Sequence, residues 1–499
     1  MDASFREVLT GKWLVGGRRR LGVVAALGFM ISGLIGGVIP VDAAEGHFAE
    51  EAAPPLSVVS EDPYTNPGTY HRTQVEPVSV AFGSTIVSVF QTGRAPDYGA
   101  SNFGWAVSTD AGATWTDGFL PGTTIHATPP GRWQRVVDPA VAFDAKHNVW
   151  LIEGLGTTRV DGHRARVFVS LSSDGAESFS DPVVVARADA GQHFDKTWIS
   201  CDNFASSPFF GTCYSQWDDE DRDLRLHIST SSDGGLTWKE AAIRRDTHVL
   251  DGHPLVQPDG TVIMPIDQCC PTRIDAFIST DGGLSFSGHG TDYTGPLAIH
   301  SVRASKVRGK LRMSIEPPFI SADVDASGNI YVVWPDCRYR HSGPDQRCLQ
   351  NDIVMSTTHD GRHWTPVTRI PIDPRTSSVD HFLPAIVVDP ATSASSAHIA
   401  IVYYFYPDAE CTVSTCDLSV GIVSSADGGS TWSSQQIAGP FRNTWFPLTE
   451  AGYMVGDYVG ISFVDGKVVP VFPVAAEGRC KLDDLTSCNV WTASATIPI

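Results

Sequence analysis

The chain of 499 residues predicts an all-β fold built from repeated four-stranded units, and three observations carry that expectation. An eight-residue turn pattern recurs along the chain. A pair of short apolar strands recurs upstream of it. Gly (46) and Pro (33) are abundant, charged residues make up only 18%, and no long stretch shows the 3.6-residue apolar period of an amphipathic helix. Hydrophobic residues at 42% can fill a large core, which excludes an intrinsically disordered chain.

From the N-terminus, residues 1–43 read as an address rather than part of the fold. Arg18, Arg19 and Arg20 precede an apolar run from Leu21 to Val41, and small residues follow near Ala43. That order fits an export signal, with paired arginines of the twin-arginine kind. The run is also long enough to remain as a membrane anchor, so cleavage and anchoring both stand. No cysteine lies near the cleavage point, which argues against a lipoprotein. Residues 44–69, rich in Ala, Pro, Glu and Ser, read as a linker.

The repeats begin at residue 70. The turn Ser108-Thr-Asp110-Ala-Gly112-Ala-Thr114-Trp115 returns at Ser231–Trp238 and Ser425–Trp432. Looser copies run from Ser172 to Phe179 and from Ser279 to Phe286, and a shortened one from Thr358 to Trp364. In each, Asp can accept backbone N–H bonds, Gly supplies positive φ, and the aromatic residue can pack between sheets. The upstream strand pairs are clear from Pro139, Pro254, Ile320 and Pro384, and looser over 76–90, 196–217 and 457–472. Seven such pairs and six turns, repeating at roughly 60-residue intervals, describe a β-propeller of four-stranded blades. The count favours seven blades, with six the alternative.

Charge and cysteines bound the function. The 36 basic residues against 56 acidic ones give a formal charge of −20, opposite to what phosphate binding needs, so no nucleic-acid partner is expected. All ten cysteines lie beyond the N-terminal segment, and Cys201/Cys213, Cys337/Cys348, Cys411/Cys416 and Cys480/Cys488 are close neighbours in sequence. This usage fits local disulfides in a secreted or extracytoplasmic protein. Adjacent Cys269 and Cys270 allow either a vicinal bond or separate partners. No Cys-x-x-Cys pair occurs, so a cysteine metal site is not expected.

The recurrent turn resembles the Asp-box, and residues 70–499 resemble a bacterial sialidase-superfamily (BNR/Asp-box) propeller. The resemblance implies a sialidase-like exo-glycosidase acting on terminal acidic sugars of a glycan or glycoconjugate. It further implies arginines gripping a carboxylate, a Tyr nucleophile aided by Glu, and an Asp acid/base. Arg72 stands near the place of the family's first arginine, and Asp97 near that of the catalytic Asp. His253 and Asp267 occupy the stretch where Glu and Arg are expected, Tyr404 and Tyr458 are the tyrosine candidates, and Arg303 and Arg312 could add carboxylate contacts. Arg369-Ile370-Pro371 matches the family's arginine motif but falls in what should be an outer strand.

Independently of the family, charged residues open the apolar inner strands: Glu76, Asp138, Asp195, Lys196, His253, His381 and Asp457. In a propeller they would ring the central funnel and make it polar. Carboxylates with a His there suit general acid/base hydrolysis, or a structural Ca2+. Trp198, Trp334 and Tyr339 would suit stacking on a sugar. No cofactor is expected, because no Gly-rich phosphate loop opens a helix. A monomer is expected, touching a membrane only through an uncleaved N-terminal segment. The alternative function is a noncatalytic carbohydrate- or protein-binding scaffold, and a further one is a hydrolase or lyase for another substrate.

Overall fold

The computed structural model describes residues 53–158, 163–243, 248–268, 273–288, 300–301, 319–340, 350–450, 452–478 and 480–499. Its strands group into antiparallel meanders, and its only helical segments among these residues are three-residue 3-10 turns. The first meander runs Gln74–Phe82, Thr85–Arg94, Ala100–Ser108, Thr116–Phe119, and the second Arg135–Asp144, Val149–Thr157, Ala165–Ser172, Val183–Arg187. A single backbone pairing, Ala100 with Val136, joins these two. Sheets three, five and six begin at Phe194–Cys201, Ser321–Val324 and Asp380–Val388. The fourth opens with the broken strand Val249–Gly252 and Leu255–Val256. The seventh runs Gly460–Val464, Lys467–Ala475, Val490–Ser494 and takes its outer strand, Ser57–Ser60, from the chain start.

That last pairing corrects the expectation of a linker over residues 44–69. Val59 is buried against Phe90, Ala106 and Val471, because the edge of Val490–Ser494 would otherwise present unpaired N–H and C=O groups. It also accounts for six turn motifs with seven sheets. The seventh sheet needs no hairpin between its third and fourth strands.

The recurrent turn is a compact hydrogen-bonded unit. In the third sheet Asp233 accepts bonds from Ser231 Oγ (2.8 Å), the Thr237 N–H (2.9 Å) and Thr237 Oγ1 (2.6 Å), while Ser231 Oγ accepts from the Gly235 N–H (3.0 Å). Asp110, Asp174, Asp281 and Asp427 repeat this set. In the shortened copy His363 Nδ1 takes the place of the hydroxyl, 2.6 Å from Asp360. Each turn leans on the preceding sheet. A Cβ on Gly235 would lie 2.7 Å from Leu151 of the second sheet, and one on Gly112 would lie 2.6 Å from Val469 of the seventh.

The first sheet therefore packs on the last. Trp115 Nε1 donates to Ser494 Oγ (2.9 Å), and Ser462 and Ser79 hydroxyls meet at 3.0 Å. A cavity of about 320 Å³ is lined by Val80, Val141, Trp198, Leu255, Ala322, Val387 and Phe463, one from the inner strand of each sheet. Between sheets the core is apolar and aromatic, as where Phe382, Tyr404 and Leu418 pack with Phe472 and Val474. Burying each such side chain contributes roughly 1.5–3 kcal/mol. The all-β arrangement fits a β-propeller.

Cys201–Cys213, Cys411–Cys416 and Cys480–Cys488 are disulfide-bonded, each closing a local hairpin as expected. Cys337 is also disulfide-bonded, whereas Cys348, Cys269 and Cys270 lie outside the described residues. Among the described residues no helix is long and apolar enough to cross a membrane.

Candidate functional site

The inner strands do not run straight to the centre. In five of them the ladder slips by a bulge, between Val75/Val78, Val137/Ala140, Asp195/Trp198, Leu250/Gly252 and Phe382/Ala385. Each bulge holds a non-glycine residue with left-handed φ: Glu76 (60°), Asp138 (56°), Lys196 (53°), Asp251 (58°) and Leu383 (49°). Such a conformation costs about 1 kcal/mol or more and re-aims the side chain. Pro77, Pro139 and Pro384 follow three of these residues, where a missing N–H is tolerated because the ladder is already broken.

The bulges bring charged groups together. Asp138 Oδ2 accepts the Lys196 backbone N–H (2.9 Å), and the Lys196 ammonium pairs with Asp457 (3.0 Å) and Asp195 (3.3 Å). Glu76 Oε1 accepts the Asp457 N–H (2.8 Å), and its other oxygen accepts from Gln91. Gly456 lets the chain approach, since a Cβ there would lie 2.5 Å from the Glu76 Cα. Most of these side chains are buried; Asp195 keeps 13% side-chain exposure, against 6% for Asp457.

Burial and proximity drive the protonation states apart. Burial pushes Asp138 well above the usual carboxylate range, against the pull of Lys196, while a hydrogen bond joins it to Asp195. Asp195 resists the same burial because Lys196 and the bond to Asp138 hold it down at about 2. Glu76 is pushed up to about 7 by burial and by Asp457. Asp218, opposite Asp195 in the ladder, is raised by burial and by Asp195, and neither of its oxygens has a hydrogen-bond partner. Two neighbouring carboxyls, one holding its proton and one ionised, can give and take a proton in one step.

Aromatic groups flank this cluster. Trp198 stacks on His253 with centroids 4.1 Å apart and meets Tyr458 edge-on at 5.4 Å. The hydroxyl of Tyr458 and Nε2 of His253 are buried without hydrogen-bond partners. Tyr98 also reaches the cluster, where burial and then Asp195 raise its phenol well above 10.

The structure thus unites Glu76, Asp138, Asp195, Lys196, Asp457, Tyr458 and His253, and separates the rest. In the fourth sheet the bulge residue is Asp251, not His253; Asp267 lies on the next strand, raised by burial and by Asp251. His381 is displaced from the ring because Leu383 takes the bulge of the sixth sheet. Its Nε2 instead lies 3.8 Å from Asp373. Tyr404 is fully buried in the core between sheets, stacked on Phe382. Asp97 is exposed and accepts its neighbour's N–H (2.8 Å), and Arg72 is exposed and donates to the Thr486 carbonyl (3.0 Å). Arg303 and Arg312 lie outside the described residues. Trp334 is core, and Tyr339 donates to the Val367 carbonyl (2.5 Å).

Sequence reasoning missed Asp218, Asp251, Tyr98 and the buried Arg94. Asp218 had a signal, an acidic residue ending the buried strand Cys213–Asp219. Arg94 is spent on the chain itself, donating to the Ala95 and Gly99 carbonyls (both 2.6 Å).

A second buried cluster joins the fifth and sixth sheets. Arg340 and Arg369 each bridge Asp352 and Asp373 at 2.5–2.9 Å. Arg369 is on the outer strand Thr368–Arg369. Asp352, Asp373 and His381 present ligand atoms within 4.8 Å of one another. The two guanidinium groups already neutralise both carboxylates, so the donor set does not fit a metal ion.

No family model matches the sequence, and no curated protein matches it. Among solved structures the chain is similar to a Hadza microbial sialidase (15% identity, TM-score 0.43, 73% of this chain and 66% of that one). It is also similar to the Trypanosoma rangeli sialidase (13%, 0.46, 89% and 60%) and the intramolecular trans-sialidase of Ruminococcus gnavus (10%, 0.42, 86% and 95%). The chain thus spans about two thirds or less of the first two. These are likenesses of chain course at low identity, and the chemistry of the site follows from its own residues.

Proposed function

We propose that this chain is a secreted or surface-anchored seven-bladed β-propeller with Asp-box turns that hydrolyses terminal sugars of glycans. The observation that carries the reading is the gathering of Asp138 and Asp195 on Lys196, beside the partly exposed Trp198. Asp138 accepts the Lys196 backbone N–H at 2.9 Å, and the Lys196 ammonium meets Asp195 at 3.3 Å. Burial raises the one carboxyl while Lys196 lowers the other. Asp138 would donate its proton to the leaving glycosidic oxygen. Asp195 would take a proton from a water held by the pair, the two carboxyls acting as one proton-sharing dyad rather than as an opposed acid and base, and one proton stays on the pair as before. Lys196 would hold Asp195 ionised, and Trp198 would stack on the sugar face. Local disulfides support an oxidising location.

The test is sugar release by the full-length chain from a panel of fluorogenic glycosides. Asp138→Asn and Asp195→Asn should each lower kcat at least ~100-fold with the fold intact by circular dichroism. Unchanged turnover in both variants would remove the pair from the chemistry.

A second reading is favoured by a specific observation. Glu76 and Asp138 bond backbone N–H groups of neighbouring sheets, so the same carboxyls staple the ring of a noncatalytic binding scaffold. Absence of turnover with retained glycan binding would select it.

A further inference from the structure

We infer that the polar cluster takes a terminal sugar carrying a protonated amine, not a carboxylate. This rests on the carbohydrate reading above and names its substrate class. Glu76, Asp138, Asp195, Asp218, Asp251 and Asp457 face a single described ammonium, that of Lys196, which is already shared between Asp195 and Asp457. An anionic ligand would sit beside the ionised Asp195 and compete with it for Lys196, whereas a cationic one lets further buried carboxyls ionise.

Two further side chains point to a ligand rather than to self-sufficient packing. The Tyr458 hydroxyl, on a side chain 6% exposed, has no partner and lies in the field of Lys196, Asp138 and Asp251. His253 Nε2, on a residue 2% exposed, makes no hydrogen bond and has only a long contact to Asp251 Oδ1 at 3.5 Å. Both rings pack on Trp198, the aromatic face open to the cavity. Sugar hydroxyls can satisfy the phenol and the imidazole. An ammonium brings three donors to the oxygens of Asp218 and Asp251, none of which accepts a hydrogen bond within the chain. Arg94, Arg340 and Arg369 are committed elsewhere and Arg72 bonds the Thr486 carbonyl, so these four do not form a carboxylate clamp at the cluster.

The experiment compares four methyl glycosides by calorimetry with the full-length chain: a 2-amino-2-deoxyglucoside, its N-acetyl counterpart, the plain glucoside and a sialoside. Turnover of the matching fluorogenic glycosides is followed in parallel. The amino sugar is expected to bind at least tenfold more tightly than its N-acetyl form, and the sialoside least. Asp218→Asn and, separately, Asp251→Asn should each narrow that ratio. Equal binding of the amine and N-acetyl forms, preference for the sialoside, or binding of none would overturn the inference. Amine-selective binding without turnover of any glycoside would leave the inference standing and sink the hydrolase reading instead. The two failures are therefore distinct.

Discussion

Glu76 shows how one residue couples the site to stability. Burial, then Asp457, raises its carboxyl to about 7, so between its ordinary range and pH 7 the folded chain holds a proton that the unfolded chain has released. That contribution is fully present at low pH and lost as pH rises through 7. Asp62, raised to about 7 by burial, acts with the same sign. So does His193, which burial alone would lower but which its bond to Glu220 holds at about 9. Buried His381, depressed to about 4, acts oppositely but only below its ordinary range near 6.5. Stability should therefore fall as pH rises from about 4.5 to 7, and Glu76→Gln should flatten that fall by at most ~1.4 kcal/mol per pH unit. Denaturant unfolding across that window checks this, and a slope identical in the variant would exclude Glu76 as a contributor.

At the scale of elements, the recurrent turn is legible because its chemistry is local. Ser, Asp, Gly and Thr within eight residues bond one another, so spacing alone reveals them. Asp233→Ala removes three bonds and should cost about 1–2 kcal/mol, whereas Leu236→Ala, at a tip residue 63% exposed, should change stability by less than ~0.5 kcal/mol. Thermal unfolding of both variants gives the comparison, and equal effects would mean the turn bonds add nothing. The bulged inner strands were half legible. Charged residues opening the apolar strands marked Glu76 and Asp138, but a one-residue register slip puts Asp251 rather than His253, and Leu383 rather than His381, at the bulge. Such a slip depends on pairing with the neighbouring strand, which spacing along one strand does not encode.

At the scale of the whole molecule, the strand Ser57–Ser60 ties the chain start to the last sheet. Without it Val490–Ser494 becomes an open edge of the seventh sheet, and Val59 leaves its pocket. A chain lacking residues 53–62 should lose its single cooperative unfolding transition in calorimetry. An unchanged transition would show that the first and seventh sheets close through Trp115, Ser79 and Ser462 alone.

By itself the sequence determined the all-β class, the repeating unit, the turn chemistry and the three described local disulfides, because each depends on residues near one another along the chain. It also placed Glu76, Asp138, Asp195, Lys196 and Asp457 at strand openings. Only the tertiary structure decided that these five meet one another while Asp97, Tyr404 and Arg72 stand apart, and that the chain start supplies the last strand. Those outcomes rest on contacts between sheets hundreds of residues apart, such as Lys196 with Asp457 and Glu76 with Asp457. Burial there sets the charge of each group, and burial is a property of the packed sheets together rather than of any segment.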